Sequence, residues 1–208
     1  MTKLYAGVAA AVVAAFLGAM TWKAVFDRPD DAFAECRQGQ VAGGDIGGPF
    51  TLVDTGGNTV SDADVLTKPS LVYFGYTFCP DVCPLDMARN ADAVDKLEAQ
   101  GIEVTPVFIS IDPDRDTPDA LAEYAKMLHP KLVALTGSPD QIKLASQAYK
   151  TFYKKRETGD EYYLMDHSTF TYLMLPGTGF VDFFRREITS EQMAESVACF
   201  VKAGKAKP

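Results

Sequence analysis

Two thiols stand four positions apart in the stretch Tyr73-Phe-Gly-Tyr-Thr-Phe-Cys-Pro-Asp-Val-Cys83, directly after an apolar run. A spacing of i and i+4 puts Cys79 and Cys83 on one face of a helix, with Cβ atoms about 5–6 Å apart. Sulfurs so placed chelate one metal ion or close on each other as a disulfide. Pro80 and Pro84 suit the start of a helix, where a missing N–H is tolerated, and backbone donors at such an end stabilise a thiolate. Two nearby cysteines are not yet a function, and the rest of the chain must say which chemistry they serve. Of the two histidines, His129 precedes Pro130 at an expected helix C-terminus, where the dipole favours a partly charged ring and the role reads as structural. His167, in Asp166-His-Ser168, stands at the mouth of a later strand that can lie beside the one ending at Tyr76. Two thiolates and one imidazole make a soft site of low coordination. Thiolate favours copper(I), imidazole admits copper(II) as well, and a closed structural zinc site would want a fourth ligand. Oxidising Cys79 and Cys83 to a disulfide removes both sulfur ligands, so loading requires the reduced pair.

The elements that must position these residues alternate. Residues 50–53 and 59–60 read as an N-terminal hairpin around Thr55-Gly-Gly-Asn58. Residues 70–76 read as a strand covered on both faces, and 84–100 as a helix with Met87, Ala91, Val94 and Leu97 inward. A second buried strand follows over 104–111. Thr117-Pro118 opens a helix that Pro130 ends, 132–136 is a third strand, and Ser138-Pro-Asp-Gln141 is a capping box for the next helix. After the charged stretch 151–163, which reads as an exposed loop or hairpin, strands over 168–175 and 180–185 form a further hairpin. Thr189-Ser-Glu-Gln192 starts the last helix, through Cys199 and Phe200. Short joins between strands and helices mark a parallel core, and the whole order describes a thioredoxin-like α/β sandwich with a central mixed sheet. Asp112-Pro-Asp-Arg-Asp-Thr-Pro118 follows the second central strand, at the carboxyl end where such sheets place functional loops. Its Asp116 and Thr117 fit a turn and helix cap, whereas Asp112 or Arg115 can also brace the cysteine loop.

The N-terminus differs in kind. Residues 4–22 carry no charge, and that run of nineteen is just long enough to cross a bilayer as a helix. Ala32-Phe-Ala34 resembles a signal-peptidase site, but the run is longer than a usual signal core and Asp27-Arg-Pro-Asp-Asp31 separates the two, which favours an uncleaved anchor. The expected division is an anchor over 1–26, a Gly-containing tether over 27–48 and a folded domain over 49–204, with that domain in a bacterial periplasm. The net charge of −8 and the lack of a basic stripe exclude a nucleic-acid surface. In an oxidising compartment four cysteines invite pairing. If Cys79 and Cys83 form one unit, Cys36 and Cys199 are left to each other as a staple.

Three separated motifs now stand together: Tyr73 to Pro84 around the two thiols, Ser110-Ile-Asp-Pro-Asp-Arg-Asp-Thr-Pro118, and Asp166-His-Ser168 followed by Tyr172-Leu-Met. In this order, over roughly 50–200, the chain resembles the Sco/SenC family. The resemblance implies a membrane-anchored copper chaperone that helps assemble the dinuclear copper A centre of cytochrome c oxidase. Cys79, Cys83 and His167 would be its copper ligands and Asp166 the acid that supports the histidine. The implied partner is the oxidase subunit that carries copper A, reached directly or through a second periplasmic copper chaperone. Leu85 departs from the family, where a small hydroxyl residue is common. A second class of function, thiol:disulfide exchange that keeps the oxidase cysteines reduced, needs only Cys79 and Cys83. A peroxiredoxin-type peroxidase needs Thr three positions before its reactive cysteine, and Tyr76 stands there.

Overall fold

The computed structural model describes residues 5, 13–22, 32–37, 45–156 and 162–205. The chain falls into two compact units, 1–34 and 35–208. In the first, residues 13–22 are helical. No helix among the described residues is long and apolar enough to cross a membrane. Most of the expected anchor and tether lie outside the described residues.

The second unit is built on a seven-stranded sheet. Its elements are β1 (Thr51–Asp54), β2 (Thr59–Ser61), α1 (Asp62–Val65), β3 (Ser70–Gly75), α2 (Val82–Glu98), β4 (Thr105–Ser110), α3 (Pro118–Leu128) and β5 (Val133–Thr136). They continue with α4 (Pro139–Ala148), β6 (Tyr153–Lys155), β7 (Met165–His167), β8 (Thr171–Leu175), β9 (Gly179–Phe184) and α5 (Ser190–Lys205). The strand order is β2-β1-β5-β4-β3-β8-β9. β3 runs parallel to β4, and β4 to β5, while β8 returns antiparallel beside β3. This is the expected mixed central sheet of a thioredoxin-like fold, with the N-terminal hairpin paired onto β5 through β1.

Local sequence explains most boundaries. All six residues of β3 are buried, so an uncharged β-branched and aromatic run is what that position demands. Thr117 Oγ1 accepts the Ala120 N–H to start α3, and Ser138 with Gln141 forms the capping box of α4. The last helix is boxed by Thr189 and Gln192. Cys36 and Cys199 are bonded, with Cα atoms 5.6 Å apart, and this ties the segment before β1 to α5. Closing so long a loop stabilises the fold by about 5 kcal/mol in the chain-entropy account.

One expectation is corrected. Residue 167 does not open the long hairpin strand. It ends β7, which among the described residues pairs only with β6 in a separate two-stranded sheet, Tyr153 opposite His167. The charged stretch 151–163 thus contributes one arm of a hairpin, and its residues 157–161 lie outside the described residues.

Register decides where the chemistry meets. Gly75 pairs with Ser110, and Tyr73 with Thr171. The segments after β3 and β4 and the one before β8 therefore emerge at the same edge of the sheet.

Candidate metal centre

Cys79 lies in the turn between β3 and α2, its N–H donating to the Tyr76 carbonyl at 3.3 Å. α2 begins at Val82, so Cys83 is its second residue and Cys79 precedes it. The expected shared helical face is therefore replaced by a turn and a helix start, which bring the sulfurs together by another route. The Asp81 side chain at the N-cap does not cap the helix. Cys79 Sγ accepts the Cys83 N–H instead, at 3.4 Å, so sulfur takes a donor that a cap would otherwise satisfy. Gly75 lies under the pair. A Cβ there would stand 2.9 Å from ring carbons of Tyr73 and Phe108 and 3.1 Å from Cys83 Sγ. Cys83 reaches its place because that position carries no side chain.

The imidazole arrives with its proton assigned. His167 Nδ1 is 2.8 Å from the Ser168 carbonyl oxygen, and a carbonyl only accepts, so Nδ1 carries the hydrogen. The Nε2 lone pair is left facing Cys83 Sγ at 3.3 Å. Ligand atoms of Cys79, Cys83 and His167 all lie within 4.8 Å of one another. Tyr73 and Tyr76 meet the imidazole edge-on, with ring centroids 6.2 and 5.9 Å away.

The two thiols are held in different states. The hydrogen bond from Cys83 is the largest influence on Cys79 and pulls it down to about 3, with the Asp81 and Cys83 N–H groups adding to it against the cost of burial. Cys83 is pushed up, first as the donor in that pair and then by burial. At neutral pH Cys79 is the thiolate and Cys83, fully buried, the thiol. Acid returns the Cys79 proton only as pH falls through its depressed value. Brief alkylation with iodoacetamide at about pH 5 is therefore expected to modify Cys79 and spare Cys83, whereas an ordinary thiol with pKa roughly 8.5 would be inert there. Peptide mapping that finds labelling only near neutral pH or above, or equal on both cysteines, would contradict this assignment.

The donor set is soft, and the group holds three ligands rather than the four of a closed zinc site. Comparison with known proteins places this geometry. The SCO1/SenC family model matches residues 38–202. The chain belongs to the SCO1/SenC family. Protein SenC of Rhodobacter capsulatus is 51% identical over 203 residues, covering 97% of this chain and 92% of that one. Arabidopsis thaliana ScoI, solved with copper bound, is 42% identical with a TM-score of 0.72, over 76% of this chain and 99% of that structure. BsSco, a member of the Sco family of cytochrome c oxidase assembly proteins in which a disulfide switch was identified, is 27% identical with a TM-score of 0.64, over 82% and 100%.

Several residues around this SCO1/SenC site differ from expectation. Asp166 does not touch the imidazole. It accepts from Arg156 Nε at 2.7 Å and Nη2 at 2.5 Å, and the ring is oriented by a main-chain carbonyl. Leu85 is 61% exposed, so this side chain alters the surface near Cys83. His129 keeps its structural role, but not as a charged ring. Its Nδ1 accepts the Lys131 N–H at 3.1 Å, which leaves the proton on Nε2 toward Asp95 at 3.2 Å.

Asp116 does more than shape a turn. Its fully buried carboxylate accepts from Thr77 N at 3.1 Å, Thr77 Oγ1 at 2.5 Å and Ser110 Oγ at 2.5 Å. It thereby pins the start of the cysteine loop to the end of β4. Beneath Cys83, Tyr73 O–H donates to Asp86 Oδ2 at 3.0 Å, with Arg89 Nη1 3.6 Å from the other oxygen. Burial pushes the Tyr73 phenol up, so it remains a neutral donor. Sequence reading passed over Asp86, yet a signal existed. Asp86 and Asn90 are polar residues at i and i+4 flanking the stripe of Met87, Ala91 and Val94, and both are buried.

Proposed function

We propose that this chain binds one copper ion through Cys79, Cys83 and His167 and serves in assembly of the copper A centre of cytochrome c oxidase. The observation that carries the reading is the convergence of two cysteine sulfurs and an imidazole nitrogen within 4.8 Å, the imidazole already in the tautomer that offers a lone pair. Sulfur favours copper(I), and imidazole lets the site hold copper(II). Copper-bound relatives support the choice of metal, and BsSco's place among oxidase assembly proteins supports the pathway. Tethering by the uncharged run 4–22, with the folded unit in a bacterial periplasm, fits an intact Cys36–Cys199 disulfide. The partner is then the oxidase subunit carrying copper A, with or without a second periplasmic chaperone in between.

Titrating the chain anaerobically with copper(I) tests this. One equivalent is expected to bind the reduced form, and none to bind tightly once Cys79 and Cys83 are oxidised. Equal binding by both forms would refute it.

The asymmetry of the two thiols favours thiol:disulfide exchange as a second reading. The Cys79 thiolate attacks a partner's disulfide and forms a mixed disulfide, releasing one partner thiolate. Cys83 then gives up its proton and attacks Cys79, which frees the second partner thiolate. The pair loses two electrons and the partner gains them. Both readings use the same sulfurs, and only copper binding calls on His167.

A further inference from the structure

Two of the grouped side chains come from the connection leaving the main sheet, while His167 comes from a small sheet that shares no strand pairing with it. Something must hold that hairpin at the right distance. Arg115 reaches across the gap. Its Nε donates to Asp112 Oδ2 at 2.5 Å and its Nη1 to the Tyr163 carbonyl at 3.0 Å. The Tyr163 hydroxyl closes the circuit by donating to Asp112 Oδ1 at 2.6 Å. The Arg115 guanidinium also lies over three rings, at 3.6 Å from the centroid of Tyr163, 4.7 Å from Phe78 and 5.7 Å from Tyr76. Phe78 and Tyr76 belong to the cysteine loop, and Tyr163 sits two residues before β7. Lys155 of β6 covers Tyr163 as well, 3.6 Å from its centroid.

We propose that Asp112, Arg115 and Tyr163 form a clamp that positions the His167 hairpin against the cysteine loop, so that Arg115 decides whether the site offers nitrogen along with sulfur. The proposal rests on the ligand set given above. Its physical basis is the planar fork of arginine, which makes two directed hydrogen bonds at right positions and stacks on aromatic faces at once, a combination lysine lacks. Asp112 is itself anchored, being buried and donating its N–H to Ser110 Oγ at 3.0 Å. The clamp is therefore fixed to β4 at one end and grips the hairpin at the other. Burial and the bond to Asp112 push the Tyr163 hydroxyl up to about 12, so it stays a donor throughout the working range. Arg115, Asp112 and Tyr163 are positioning residues here, since none supplies an atom to the metal.

Arg115→Met in the full chain keeps an apolar stem and removes the fork. The reduced variant is expected to hold copper(I) at least about tenfold more weakly, as loss of outer partners of metal ligands usually costs roughly 10–100-fold. X-ray absorption should show the nitrogen neighbour lost or halved in occupancy, while the Cys79–Cys83 disulfide still forms and is still reduced. Arg115→Lys, which keeps only the charge, should behave like Arg115→Met. If Arg115→Met does not fold, Tyr163→Phe carries the test, because it deletes one hydroxyl and should weaken copper about tenfold, the worth of a hydrogen bond to a charged group. Wild-type affinity with an intact nitrogen neighbour in the folded variant would overturn the clamp. A His167→Ala control separates the failures: if it loses nitrogen and Arg115→Met does not, the clamp alone is wrong. If it too is unchanged, the ligand set and the clamp fall together.

Discussion

Replacing His167 by alanine is expected to weaken copper(I) binding by more than about 100-fold while leaving the dithiol chemistry of Cys79 and Cys83 in place. The size follows from the proposed site, which draws three ligands from the described residues. Disturbing a partner outside the ligand set already costs roughly 10–100-fold, and this change removes a donor outright. The selectivity follows from what holds the thiolate. Its largest support is the hydrogen bond from Cys83, and the Asp81 and Cys83 N–H groups add more, whereas His167 Nε2, its proton being on Nδ1, has none to give it. The structural cost is small, because residue 167 ends a three-residue strand of a partly exposed hairpin. Competition against a chromophoric copper(I) chelator, run beside a disulfide redox titration, reads both quantities. A variant that keeps wild-type copper affinity would exclude the ligand role and leave thiol exchange as the better account.

Asp116→Ala is expected to cost about 3 kcal/mol of stability and to loosen the cysteine loop with it. The carboxylate is the shared acceptor of Thr77 N–H, Thr77 O–H and Ser110 O–H. Its removal strands a part-buried main-chain donor and two hydroxyls, at roughly 1–3 kcal/mol for each group left unsatisfied, less what water and rotation of the hydroxyls recover. Thr77 is two residues from Cys79, so the damage reaches the sulfurs. Urea denaturation should show a lower midpoint with an unchanged slope, and copper(I) affinity should fall in the same variant. A midpoint matching wild type would mean that Asp116 is only a turn residue, as the sequence first implied.

The two outcomes mark how far reading the chain could go. Elements set by periodicity and caps were legible: the buried strands around Val72 and Val107, the Thr117 and Ser138 helix starts, and the closing helix at Thr189 all stand where local chemistry puts them. So was the meeting of Cys79, Cys83 and His167, because they are scarce residue types and the strand order limits where they can meet. What stayed hidden depends on exact register and direction. Whether Cys79 is inside α2 or before it is a matter of two residues, and it changes sulfur from a helical side chain into a helix cap. The residue beside the histidine in sequence, Asp166, points to Arg156, because successive strand residues face opposite sides. A main-chain carbonyl then does the orienting, and no side-chain motif can announce that. Asp116 reads as a cap neighbour until β4 is laid against β3, when its carboxylate falls under Thr77.

X-ray absorption on the reduced chain loaded with one equivalent of copper(I) tests the central claim most directly, by counting the atoms bound to the metal. Two sulfur neighbours and one nitrogen are expected, with the nitrogen signal gone in His167→Ala. A copper bound by sulfur alone in the wild-type chain, or no copper retained at all, would contradict it.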